Sequence, residues 1–209
     1  MSNALEAKFI GIFGTTGCGK THELKRRLGK PKRRRTLFWS PKERGDNYAA
    51  FYPNSVLVRT ASALLDVLRR AGKRGEFHAV FVPTLNRKKD EALFSLVCLM
   101  LMAAGNITLI VDELHTVTTP TNAPDGWVKL NFMGRVDGLE VFGLSQRPAS
   151  VDKAFIGSLS TLVVKRLSYP EDQKTLAKAL GLPAADVAKL TGYQFFEKNF
   201  ATGNITKNN

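Results

Sequence analysis

The chain has 209 residues, 44% apolar and 23% charged, which excludes a fibrous repeat or bulk disorder and predicts one well-cored α/β domain over 1–209. Its 31 Lys and Arg outnumber 18 Asp and Glu, and the resulting +13 would repel itself in a compact fold unless a polyanion or counterions offset it, which puts nucleic acid first among partners to consider. Cys18 and Cys98 stand in neither a paired nor a metal-ligand spacing, so a disulfide framework and a zinc site are excluded and a reducing compartment is expected.

Gly11 and Gly14 interrupt the first apolar run, so no secretory signal is expected. That run predicts a strand over 8–13, and β-type runs follow at 36–40, 56–59, 79–82, 107–111, 140–144 and 161–165. Helical patterns lie between them at 20–28, 61–71, 90–104 and 127–136. The longest apolar stretch, 92–104, is thirteen residues broken only by Ser95, which is short of the ~18 needed for a membrane span and reads as a buried helix. Alternation of strands and helices predicts a mostly parallel sheet covered on both faces, a three-layer α/β/α fold with its core over about 8–166. In the C-terminal extension, Pro170 and Gly181 bound a helix over 170–180, a second covers 184–190, Phe195, Phe196 and Phe200 predict a packed strand, and the polar tail 204–209 is expected to fray.

Gly14-Thr15-Thr16-Gly17-Cys18-Gly19-Lys20-Thr21 fits the phosphate-loop pattern G-x-x-x-x-G-K-[ST], and it sits where that motif requires, after a strand and opening a helix. Glycines let the backbone curl with its N–H groups inward around a phosphate. Lys20 is then expected at the β/γ-phosphates of ATP, and Thr21 at Mg²⁺. Cys18 reads as a small loop residue.

The apolar strand over 107–111 ends in Asp112-Glu113, at the sheet edge where α/β ligands bind. Asp112 is the expected Mg²⁺ ligand, through water, and Glu113 the residue that polarises the attacking water, so the pair implies hydrolysis as well as binding. His115 completes a D-E-x-H string similar to that of superfamily 2 helicases, but those need a second RecA-like domain that 209 residues do not hold; His115 reads as a loop residue with ordinary titration.

The strand over 140–144 delivers Ser145-Gln146-Arg147-Pro148-Ala149 to the same edge. Asp112-Glu113, then Gly134-Arg135 with Gly138, then this Ser-Gln-Arg-Pro-Ala turn resemble the FtsK/HerA superfamily of P-loop ATPases across about 8–165. The resemblance implies that Gln146 is a γ-phosphate sensor and Arg135 a finger acting in a neighbour's site, with Arg147 in reserve. It therefore implies a ring, a hexamer. Within that superfamily the compact chain is similar to the genome-packaging ATPases of membrane-containing icosahedral, tectivirus-like viruses. That likeness implies double-stranded DNA and capsid or portal-vertex proteins as partners, the host cytoplasm or the virion as location, and the loop over 115–126 as a pore candidate. A filamentous-phage assembly ATPase of the zonula occludens toxin type and a small nucleotide or metabolite kinase are the alternatives.

Eleven cations and two carboxylates fall within 20–44, a net of +9. Inside it, Lys30-Pro31-Lys32-Arg33-Arg34-Arg35 reads as a phosphate-contacting loop or, in a eukaryotic cell, a nuclear import signal. Arg69, Arg70, Lys73, Arg74, Arg87, Lys88 and Lys89 could extend a DNA-facing surface that contacts the backbone without reading bases.

Overall fold

A computed structural model describes residues 8–29 and 33–208. Its elements run β1 (Phe9–Phe13), α1 (Lys20–Gly29), β2 (Arg35–Trp39), α2 (Glu43–Asp46), β3 (Val56–Val58), α3 (Ala61–Ala71), β4 (Phe77–Phe81), α4 (Arg87–Ala104), β5 (Thr108–Val111), α5 (Asp125–Met133), β6 (Glu140–Ser145), α6 (Lys153–Ser158), β7 (Thr161–Lys165), α7 (Pro170–Leu180), α8 (Ala184–Ala188), β8 (Phe195–Asn199) and β9 (Ile205–Asn208). The strands form one sheet in the order β3-β4-β2-β5-β6-β1-β7-β8-β9, parallel through β7 and antiparallel beyond it.

Every residue of β1, β2 and β5 is buried, as expected of strands covered on both faces. The cover is lopsided. Phe9, Phe13, Leu37, Trp39, Leu109 and Val111 point to a large core shared with α3 to α8, in which Phe94, Trp127 and Phe155 are fully buried. The alternate residues Ile10, Ile12, Phe38, Ile110 and Phe142 meet only Leu24 and Leu28 of α1, the Tyr48 and Tyr52 segment, and Phe195 of β8. Thus the expected α/β/α layering is present, with a thick helical layer on one face and a thin one on the other.

Several boundaries differ from expectation for local reasons. Helix α4 starts at Arg87 because the Asn86 side chain accepts from Lys89 N and caps it, and it buries one face only: Leu96 and Leu99 are 46% and 38% exposed. Helix α5 stops at Met133, three residues short of the expected 136, with Gly134 as its cap. The tail does not fray within the described residues. Ile205–Asn208 pairs antiparallel with β8, which itself ends at Asn199 and leaves Phe200 in the turn. No helix among the described residues is long and apolar enough to cross a membrane.

Candidate functional site

Register sets the geometry. Phe13 pairs with Ser145 and Val111 with Gly143, so β6 lies between β1 and β5, and all three end along one edge. The phosphate loop leaves β1 there, Asp112-Glu113 leaves β5, and Gln146 leaves β6. An open cleft of about 990 Å³ runs along this edge, lined by Thr16, Gly17, Gly19, Lys20 and Thr21 on one side and by Asp112 and Glu113 on another.

The loop is tied on both flanks. Gly14 N donates to Ser145 O at 3.2 Å, and Thr15 N to Arg166 O at 2.8 Å. Gly17 and Gly19 adopt φ of 75° and 85°, the left-handed conformation that turns successive N–H groups toward one point and that a side chain would strain. Lys20 folds back, its Nζ donating to Gly14 O at 2.8 Å and Thr15 O at 3.1 Å, so its ammonium is stored on loop carbonyls beside the place a phosphate would take. Gln146 Oε1 accepts from Thr16 Oγ1 at 2.8 Å, which joins the predicted sensor to the loop. Cys18 is fully buried in the loop, matching its reading as a small structural residue.

Glu113 is 4% exposed and has φ of 50°, a left-handed backbone costing about 1 kcal/mol or more for a residue with a side chain. Its Oε1 accepts from Lys42 Nζ, while its buried Oε2 has no hydrogen-bond partner among the described residues. His115 Nδ1 lies 3.4 Å from that Oε2 and 2.9 Å from Ser145 Oγ. The ordinary titration expected of His115 does not hold. Burial lowers its pKa, Lys42 and Arg147 act in the same direction, and Glu113 opposes them.

Thr21 and Asp112 both line the cleft, and a hydroxyl beside a carboxylate is the hard oxygen set that suits Mg²⁺. No group of three or more His, Cys, Asp or Glu capable of holding a metal occurs among the described residues.

The two arginines part company. Arg147 stays at this edge, donating to the buried Asp172 Oδ2 at 3.1 Å and stacking 4.3 Å from the Tyr169 ring. Arg135 precedes β6 and therefore lies at the opposite edge of the sheet, its Nη2 donating to Ser158 O at 3.0 Å and its guanidinium 5.7 Å from the Phe9 ring. It takes no part in its own chain's cleft. Its sequence neighbours Phe132, Met133 and Val136 are 76%, 53% and 81% exposed.

Among the lining residues that escaped the sequence reading as site residues are Lys42, Lys165 and Tyr193. Lys42 reaches Glu113 because β2 is the neighbour of β5, with Trp39 beside Val111. Lys165, at the end of β7, is buried with its Nζ donating to Tyr193 O at 3.2 Å and 4.6 Å over the Phe195 ring, and burial pushes its ammonium below the ordinary lysine value. Tyr193 is 71% exposed against Gly19 at the mouth of the cleft. A run of β-type residues ending in a cation beside a phosphate loop was the available signal for Lys165; none pointed to the other two.

The basic run is less free than expected. Lys30, Pro31 and Lys32 lie outside the described residues. Arg33 holds Glu140 through two bonds of 2.9 and 2.8 Å, and Arg35 is buried in β2, donating to Gly72 O and Gly75 O at 2.8 and 2.9 Å. The segment over 115–126 is also anchored: Val117 and Thr118 are 1% exposed, and Arg87 Nη2 donates to Thr118 O at 3.2 Å.

No protein-family model and no curated protein matches this chain. Its fold is shared with solved structures. The genome packaging NTPase B204 from Sulfolobus turreted icosahedral virus 2, in complex with AMPPCP, superposes with a TM-score of 0.74 at 16% identity over 98% of each chain. The DNA-packaging ATPase B204 from Sulfolobus turreted icosahedral virus gives 0.70 at 18% over 96% of each. The bacterial conjugative coupling protein TrwBdeltaN70 gives 0.70 at 13% over 99% of this chain and 85% of that one. At these identities the likeness is one of fold. The chain has the P-loop NTPase fold, and the resemblance read from Asp112-Glu113 and Ser145 to Ala149 holds at that level.

Proposed function

We propose that the chain is a Mg²⁺-dependent ATPase that drives double-stranded DNA translocation, working as a ring in the packaging of a viral genome into a capsid. The observation that carries hydrolysis is the buried Oε2 of Glu113 at the cleft that the phosphate loop lines, which no hydrogen bond satisfies among the described residues and which His115 Nδ1 approaches only to 3.4 Å. A buried carboxylate oxygen without a donor is costly, and a water placed for attack would satisfy it.

In this reading Lys20 exchanges the carbonyls of Gly14 and Thr15 for the β/γ-phosphates, and the N–H groups of the loop hold the β-phosphate. Thr21 and Asp112 would hold Mg²⁺, which would supply charge neutralisation to the phosphates. Glu113 Oε2 orients water and takes its proton as the oxygen attacks the γ-phosphorus. The bond to the β,γ-bridging oxygen breaks, giving ADP and phosphate. Gln146 reports on the γ-phosphate, a role supported by its bond to Thr16 of the loop.

Two observations support the motor. The fold is that of proteins described as genome-packaging NTPases, and the +13 charge favours a polyanionic partner. Arg135 as a trans-acting finger fits its absence from its own cleft. It needs a head-to-tail contact in which the α5–α6 side of one protomer's strand-start edge, across the sheet from α1, meets its neighbour's strand-end edge, and the exposed Phe132, Met133 and Val136 beside it are suited to such burial. Lys20→Ala and Glu113→Gln are expected to abolish phosphate release, with Glu113→Gln still binding ATP. Unchanged release in both would sink the hydrolysis reading.

A further inference from the structure

The cleft at the strand-end edge is balanced in charge, with four cations (Lys20, Arg26, Lys42 and Lys165) facing four carboxylates (Glu23, Asp112, Glu113 and Glu197). The excess that gives the chain its +13 must reside elsewhere. A second, larger concavity of about 1380 Å³ lies at the other end of the strands, where β1, β2, β5, β6 and β7 begin. Nine of its lining residues are Lys or Arg, and two are carboxylates, Glu140 and Glu197. Glu23 and Glu76, which pair with arginines of the lining from outside it, still leave an excess of five positive charges.

Part of this charge serves the fold. The C-terminal end of α1 points here, and cations stabilise such ends. That accounts for Arg26 and Arg27, but not for Lys8 ahead of β1 or for Lys73 and Arg74 in the turn between α3 and β4, all exposed. Arg35 adds a guanidinium that is 7% exposed, with Nη1 on two carbonyls and with Nε and Nη2 lacking any hydrogen-bond partner among the described residues. Its guanidinium also lies 5.2 Å from the Phe77 ring, and being buried it adds positive potential to the concavity without a direct contact.

The dimensions select the kind of anion. From β4 to β1 the edge crosses four interstrand spacings, about 19 Å at ~4.8 Å each. Duplex DNA carries one negative charge per ~1.7 Å of axis, so that length holds roughly eleven phosphates over both strands, of which the groove meets those on one side, whereas a free phosphate would engage one cation or two. Phe142, the aromatic residue of the lining, is fully buried and offers no ring for base stacking, which disfavours single strands.

We propose that this groove, on the side of the sheet away from the nucleotide, is the surface that binds duplex DNA through its phosphates. The choice of duplex rests on the motor reading above; the location rests on the groove. Focusing by a concave, single-sign surface strengthens such binding without sequence preference.

The test measures anisotropy of a labelled 20-bp duplex from 50 to 200 mM salt for the full chain and two double variants of equal charge. Lys73→Gln/Arg74→Gln lies in the groove, and Lys88→Gln/Lys89→Gln lies on α4 at the opposite edge. Neither touches the nucleotide cleft, and DNA-free hydrolysis serves as the control for folding. The groove pair is expected to weaken binding and lower the slope of log K against log salt by about 1.8, or ~0.9 for each phosphate no longer neutralised, while the α4 pair leaves the slope in place. Equal losses from both pairs, or none from the groove pair, overturn the groove while the motor reading stands. Binding of anionic phospholipid vesicles but not of duplex by the unaltered chain overturns both.

Discussion

Lys42→Met separates two roles for the cation that grips Glu113. Methionine keeps most of the side-chain volume and removes the ammonium. The Lys42 side chain is 52% exposed, so solvent screens the pair and its contribution is about 1 kcal/mol at most. If this pair occupies Glu113 Oε1 and holds the carboxylate in its nucleotide-free orientation, each turnover must first release it. A release costing about 1 kcal/mol corresponds to roughly fivefold in the population of freed carboxylate. Lys42→Met is therefore expected to raise DNA-free kcat about fivefold, with KM for ATP unchanged within about twofold, because the loop still holds the phosphates. Steady-state phosphate release with and without duplex measures both. A kcat that falls tenfold or stays constant would refute the restraint and place Lys42 among the groups that stabilise the transferred phosphoryl group, or outside the reaction.

Two further outcomes follow from the site. His115 has its pKa lowered below the ordinary 6.5, chiefly by burial, so in the acid range the unfolded chain binds the proton more readily than the folded one. The stability that neutral His115 contributes is present above 6.5 and lost as pH falls through that value toward the folded one; His115→Gln should flatten this part of the profile in urea midpoints taken between pH 7.5 and 5.5, and an unaltered profile would contradict the assignment. Mixing Arg135→Ala with Lys20→Ala protomers should recover part of the hydrolysis that each lacks alone. No recovery in rings shown to be mixed would exclude Arg135 as the trans-acting finger and bring Arg147 forward, although its bond to Asp172 would have to break first.

What was readable in the sequence was what chemistry confines to a short segment. The phosphate loop needs glycines at fixed spacing, a lysine and a hydroxyl after a strand, so Gly14 to Thr21 could be read from eight residues. Asp112 and Glu113 could be read because an apolar strand ends in them. Lys42 could not, since its role exists only because β2 lies beside β5, a matter of strand order. Strand β9 escaped because backbone hydrogen bonds to β8 form it and its side chains are polar and exposed, so the tail read as frayed. The basic run misled for the opposite reason: composition gave its charge, but the partners of Arg33 and Arg35 lie 107 residues and about 40 residues away along the chain. Composition likewise could not divide the +13 between a neutral nucleotide cleft and a basic groove at the other end of the strands.

ATP hydrolysis coupled to movement along duplex DNA is the central claim. Displacement of a third strand from a triplex-bearing duplex reads that coupling directly. The unaltered protein, assembled as a ring, is expected to strip the third strand with ATP and not with a non-hydrolysable analogue, and Glu113→Gln is expected to bind the duplex without stripping it. Hydrolysis that proceeds at full rate in the assembled ring while the triplex stays intact would contradict the claim.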